Sequence, residues 1–178
     1  MALTVDEKEE DAGAAFVLQS RRYLKEEYLP KIRRSVEELT PEDLWWRPNA
    51  GSNSIGNLIL HLAGNVTQWV VAGIGGAPDL RERQAEFDRQ EGLTASELLG
   101  ILAEAVEEVD RVLARLSVES LQEERVIQGL PNTVLSALYH VVEHFSMHTG
   151  QIIYISKLRA GRDLGFYRVK GGEVETDW

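Results

Sequence analysis

Four long stretches of this chain repeat apolar residues every three or four positions, and almost none alternates apolar with polar, so helices alone are expected to build its core. The first stretch runs from about Ala12 to Leu39, with Phe16, Tyr23, Leu29, Ile32 and Val36 on its apolar side. Thr40-Pro41-Glu42-Asp43 then reads as a cap that opens a short helical turn. The second starts near Ser54 and carries Ile55, Leu58, Ile59, Leu62, Val66, Trp69 and Val70 until Gly73-Ile74-Gly75-Gly76-Ala77-Pro78 stops it. A polar, charged connection leads to Gly92. Thr94 and Glu97 open the third helix, whose Leu98, Leu102, Ala105, Val109, Val112 and Leu116 keep helical spacing as far as Ser117. After a loop centred on Gly129-Leu130-Pro131-Asn132, Thr133 caps a fourth helix that ends near Gly161. Weak alternation is confined to Arg125–Gln128, and the tail over 166–178 reads as irregular. The expectation is an all-α four-helix bundle.

A length of 178 residues and a hydrophobic content of 43% suit one domain spanning 1–178, with residues 1–10 as a flexible, solvated acidic leader. Asp and Glu outnumber Lys and Arg by 29 to 19, and a net charge of -10 opposes binding to nucleic acid or to anionic lipid. Cysteine is absent, which removes disulfides, thiolate metal sites and a cysteine nucleophile, and leaves histidine and carboxylate as metal ligands. The N-terminus lacks the basic and apolar segments of a signal peptide, and no apolar run reaches membrane-spanning length. A cytoplasmic location is expected.

The four histidines fall on two of the helices: His61 in the second, and His140, His144 and His148 in the fourth. Residues four apart lie one turn above another, so His144 and His148 present two imidazoles close enough to share one ion. His61 lies beside the apolar face of its helix, where bundles build metal sites between facing helices. Spacing alone leaves the bland alternative open, since such a pair arises by chance and a lone histidine on an apolar face is often a hydrogen-bonded core residue. His140 extends the stripe by a turn as a ligand, a supporting group or a surface histidine. Asn57 and Asn65 lie one turn either side of His61 and Gln151 lies beside His148, placed to orient an imidazole, a water or a substrate, with plain exposure as the alternative for the asparagines. Glu143 points about 100° away from His144 and reads as solvated. Trp45 and Trp46 line a pocket or anchor their loop, and packing suits at least one of them.

The segments Asn53-Ser54-Ile55-Gly56-Asn57-Leu58-Ile59-Leu60-His61-Leu62-Ala63-Gly64-Asn65 and His140-Val141-Val142-Glu143-His144-Phe145-Ser146-Met147-His148-Thr149-Gly150-Gln151-Ile152, with Trp45-Trp46-Arg47-Pro48, closely resemble the DinB-like superfamily of metalloenzymes, in an uncharacterised bacterial branch. The resemblance covers nearly the whole chain to about Gly165. It implies an up-down-down-up four-helix bundle with one long crossover, and metal ligands at His61, His144 and His148, with His140 behind them. It also implies a homodimer, and an enzyme resembling thiol-dependent S-transferases that use low-molecular-weight thiols on a small-molecule substrate. Zinc or nickel is the expected ion, with manganese or iron as alternatives, because imidazole suits them all. Three imidazoles leave positions open at which a thiol or water would be activated for attack. Metal-dependent hydrolysis needs the same ligands, and a non-catalytic metal-binding or dimerisation protein is the alternative, favoured if His140 or a carboxylate closes the site. No residue of the sequence singles out a catalytic group beyond the ligands.

Overall fold

In the computed structural model, which describes residues 11–178, the first helical stretch is one rod in three pieces: α1 (Ala12–Arg22), a π-helical segment (Tyr23–Tyr28) and α2 (Leu29–Val36). The leader expected over residues 1–10 lies outside the described residues. Pro30, near the start of α2, accounts for the wide turn before it. Proline donates no N–H and its ring collides with the carbonyl four residues back, so the chain relaxes to wider spacing and Leu29 N–H donates to the Leu24 carbonyl.

Thr40 caps α3 (Pro41–Trp45), and Ser54 caps α4 (Ile55–Val66), which runs on through a second π-helical segment, Thr67–Ala72. The connection read as merely polar holds a short helix, α5 (Arg83–Asp88). Thr94 and Glu97 form the expected capping box of α6 (Ala95–Leu113). Thr133 opens α7 (Val134–Ala160), and Gly161, at φ 65°, closes it in a left-handed conformation that costs glycine little.

The expectation that helices account for everything is corrected by two antiparallel hairpins. A 3₁₀ turn, Val118–Gln122, leads into β1 (Glu124–Ile127), which pairs with β2 (Leu130–Thr133) where a loop was expected. Their two-residue turn holds Gln128 and Gly129 at φ 55° and 76°. In the tail expected to be irregular, β3 (Tyr167–Lys170) pairs with β4 (Glu173–Thr176) across Gly171-Gly172, both at positive φ. Gly-Gly between short runs that contain valine and tyrosine is itself a hairpin signal, and it outweighs the polar composition of the tail.

The protein is thus mostly helical with two small sheets. Buried side chains from all four long helical stretches join in one core, with α4 packed on both α6 and α7, and α2 on α7. No described helix is long and apolar enough to cross a membrane.

α4 is the most enclosed element, and its entry is held by Trp45, whose indole lies over Gly56 and donates Nε1–H to the Leu93 carbonyl at 3.1 Å. A Cβ at Gly56 would meet that ring at 2.7 Å. Gly56→Ala is therefore expected to destabilise the protein by about 1 to 2 kcal/mol, the overpacking outweighing the helix-propensity gain of up to about 1 kcal/mol. Chemical denaturation checks the sign.

Candidate metal centre

Ten residues of α4 are buried, among them Asn57, His61 and Asn65 at steps of four. This puts a polar stripe on a helix whose other faces are apolar, and each of its groups needs a partner. For His61 the partners come from two directions. Across the core, α7 presents His144 and His148 one turn apart, and the three rings turn their Nε2 atoms towards one another. His144 Nε2 lies 3.2 Å from His61 Nε2 and 3.2 Å from His148 Nε2. One donor nitrogen from each ring lies within 4.8 Å of the others, which makes this a group able to hold a metal ion. His61 is 5% exposed, while His144 and His148 are half-buried.

The outer nitrogens decide what the inner ones can offer. His61 Nδ1 is 2.9 Å from Glu86 Oε2, and His148 Nδ1 is 2.7 Å from Gln151 Oε1. Both oxygens can accept a hydrogen bond from a ring N–H, and a ring that donates there turns a bare lone pair on Nε2 towards the others. His144 Nδ1 is buried without a hydrogen-bond partner. A neutral His144 has at most one N–H to share between the two facing nitrogens, whereas one cation accepts a lone pair from each of the three rings. The donor set therefore fits a divalent transition-metal ion.

Protonation does not compete for this space near neutral pH. Burial, reinforced by the neighbouring His148, His61, His140 and Arg81, lowers the His144 pKa to about 3. Burial also lowers His148, against the pull of its hydrogen bond to Gln151. Glu86 is opposed by burial too, but hydrogen bonds and charge from Arg81 and His61 win and keep its carboxylate ionised well below neutrality.

No sequence signal marks Glu86. It stands 25 residues after His61 in a connection whose only cue was an acidic residue among several, and nothing local says that α5 folds back on α4. Arg81 grips it with two hydrogen bonds, Nε to Oε1 at 2.7 Å and Nη2 to Oε2 at 2.8 Å.

Of the supporting residues expected from the sequence, Gln151 meets His148 directly. Asn57 is fully buried and acts at one remove: its amide nitrogen donates to the carbonyls of Glu86 and Arg89 at 2.8 and 2.7 Å, while its oxygen accepts from Ser54 and Arg47. The exposed alternative for both asparagines is overturned, although Asn65 is buried with its Oδ1 unpartnered and has no hydrogen bond to His61. His140 lies beside the cluster, its ring 4.1 Å from that of Trp69 and 5.3 Å from that of His144. Glu143 is exposed. Trp45 and Trp46 line a cavity with residues 90–94, away from the histidines. A larger groove of about 610 Å³ runs between α4, residues 77–89 and α6; it is walled by Arg81 and Glu86, and none of the three histidines lines it.

The family model described as "Protein of unknown function (DUF1572)" matches residues 11–170. Among solved structures, the chain is similar to a DinB-like protein from Bacillus cereus, with 18% identity, a TM-score of 0.64, and coverage of 83% of this chain and 93% of that one. It is also similar to the DinB-like protein YjoA from Bacillus subtilis, with 19% identity, a TM-score of 0.54, and coverage of 86% and 94%. The fold is thus DinB-like, as the resemblance implied. No curated protein matches the chain.

Two outcomes follow from this geometry. Asn57→Ala leaves several buried donors and acceptors unpaired, and is expected to cost about 2 to 4 kcal/mol. Hydrogen exchange should then show residues 86–89 opening well before the core. In metal-free protein, unfolded histidines bind protons from about pH 6.5 downward while folded His144 resists them until about 3. The unfolded state gains more protons over that window, so stability should fall as pH drops from 6.5 towards 5, above the carboxylate range. Replacing His144 with asparagine should flatten that slope in denaturation measurements.

Proposed function

This chain belongs to the DUF1572 family, and we propose that it is a metalloenzyme holding one divalent transition-metal ion on His61, His144 and His148. The observation that carries the reading is the convergence of three Nε2 atoms, with Glu86 and Gln151 standing as hydrogen-bond acceptors behind the outer nitrogens of His61 and His148. Such a set suits zinc or nickel first, and manganese or iron after them.

An ion bound there lowers the pKa of a water or thiol at its open positions, and so supplies a nucleophile at neutral pH for attack on a small substrate. Every other requirement falls to the chain. His144 stays neutral and available, Glu86 and Gln151 hold their rings in orientation, and His144 and His148 are only half-buried. Among the described residues the cluster holds three donors and no fourth, whereas a structural zinc site is closed by four. That difference favours chemistry over a tether between α4 and α7. Within this reading the substrate side is a thiol transfer using a low-molecular-weight thiol, with hydrolysis as the competing reaction on the same ligands. The long helices would stand in the up-down-down-up order of a four-helix bundle, with the stretch from Gly73 to Thr94 as the crossover.

Elemental analysis of untagged protein, purified without metal-affinity resin, tests the proposal. About one ion per chain is expected, falling to near zero in His61→Ala and His148→Ala variants that still melt cooperatively. Protein that carries no ion and takes up neither zinc, nickel nor manganese would overturn it.

A further inference from the structure

We propose that residues 81–89 form a positioning arm that sets the tautomer of His61, and that Glu86, seated over Gly64, is the residue through which the arm acts. The part concerning metal affinity rests on the metal site proposed above; the part concerning the tautomer does not.

The arm is over-determined at both ends. Asn57 holds the carbonyls of Glu86 and Arg89, and Arg47 Nη2 donates to the carbonyls of Phe87 and Arg89 at 2.9 and 3.1 Å. At the other end Arg81 binds both oxygens of Glu86 and also donates to Gln68 Oε1 at 2.9 Å. Between these anchors the Phe87 ring packs 4.8 Å from the His61 ring. The Arg81 and Glu86 side chains are only 4% and 10% exposed, an unusual burial for an ion pair that does no more than decorate a connection.

Gly64 is what lets the pair approach α4. It lies in the helix interior, where glycine is a poor choice, and a Cβ there would collide with Glu86 Oε1 and crowd Arg81 Nε. The sequence gives up helix propensity at Gly64, which leaves room for a carboxylate against the helix one turn from His61.

The arm also contains the alternative it suppresses. Arg81 Nη2 is 3.0 Å from His61 Nδ1. If the imidazole proton moved to Nε2, Arg81 could donate to the bare Nδ1, and an N–H would point into the cluster where a lone pair is wanted. Glu86 decides the matter, because a carboxylate can only accept, so His61 donates Nδ1–H to it and turns a lone pair towards His144 and His148.

Ring ¹⁵N spectra of metal-free protein near pH 8 read the tautomer directly, and zinc competition titrations read the affinity. The wild type should show His61 protonated on Nδ1. Glu86→Ala should shift it towards Nε2–H and weaken zinc binding about 10- to 100-fold. Gly64→Ala keeps every functional group, favours the helix, and should move both readouts in the same direction by displacing the carboxylate; it also serves if Glu86→Ala folds poorly. Wild-type His61 protonated on Nε2, or an unchanged tautomer and zinc affinity in both variants, would overturn the arm. A tautomer shift in the variants, with wild-type protein that binds neither zinc, nickel nor manganese, would uphold the arm and sink the metal site.

Discussion

A polar group buried on a helix calls for partners from the rest of the fold, and on α4 Asn57 and His61 make that demand and have it met. An apolar residue at any of these positions would pack without further demands. Asn57 instead requires the carbonyls of Glu86 and Arg89, which holds the connection between α4 and α6 against the helix. His61 requires an acceptor on one side and a lone-pair partner on the other, which brings Glu86 from α5 and His144 from α7. The same contacts that satisfy the stripe therefore assemble the cluster, and stability and site are specified together.

Much of this was legible in the chain. The caps at Thr40, Ser54, Thr94 and Thr133 act within three residues, so local sequence was enough to place the helix starts. The pairing of His144 with His148 is likewise a property of helical pitch, and the meeting with His61 came from the family resemblance that the structural neighbours bear out as a fold. The role of Glu86 was not legible, because an ion pair and a hydrogen bond formed across a connection depend on a tertiary approach that no periodicity encodes. Asn57 stands out in the sequence by its position beside His61, but its role differs from the expected one, since it reaches backbone carbonyls that become partners only once α5 has folded back. The π-helical turn before Pro30 was available in principle from the proline rule. The two hairpins were hidden by their composition, since strands of four residues with mostly exposed side chains carry little apolar alternation, weak at Arg125–Gln128 in the first, and their turn residues are the clearer mark.

The electrostatics of the site follow from the same arrangement. A chain with a net charge of -10 could have offered carboxylates to a cation, yet the three donors that converge are imidazoles, and the Glu86 carboxylate is set behind a ring and paired with Arg81. A carboxylate facing inward would cancel much of the charge of a bound dication and with it the power to acidify a bound water or thiol. Placed behind His61, the same carboxylate holds the ring in its direction and would leave the charge of a bound cation open to whatever enters. Arg81 in turn limits how far Glu86 can draw the proton from His61, since its two hydrogen bonds already occupy the carboxylate. A buried ion pair and a helix-interior glycine that orient one imidazole, and an unpartnered nitrogen on another, all cost stability. A core histidine kept only for packing would call for none of them, and that cost is what favours chemistry at this cluster.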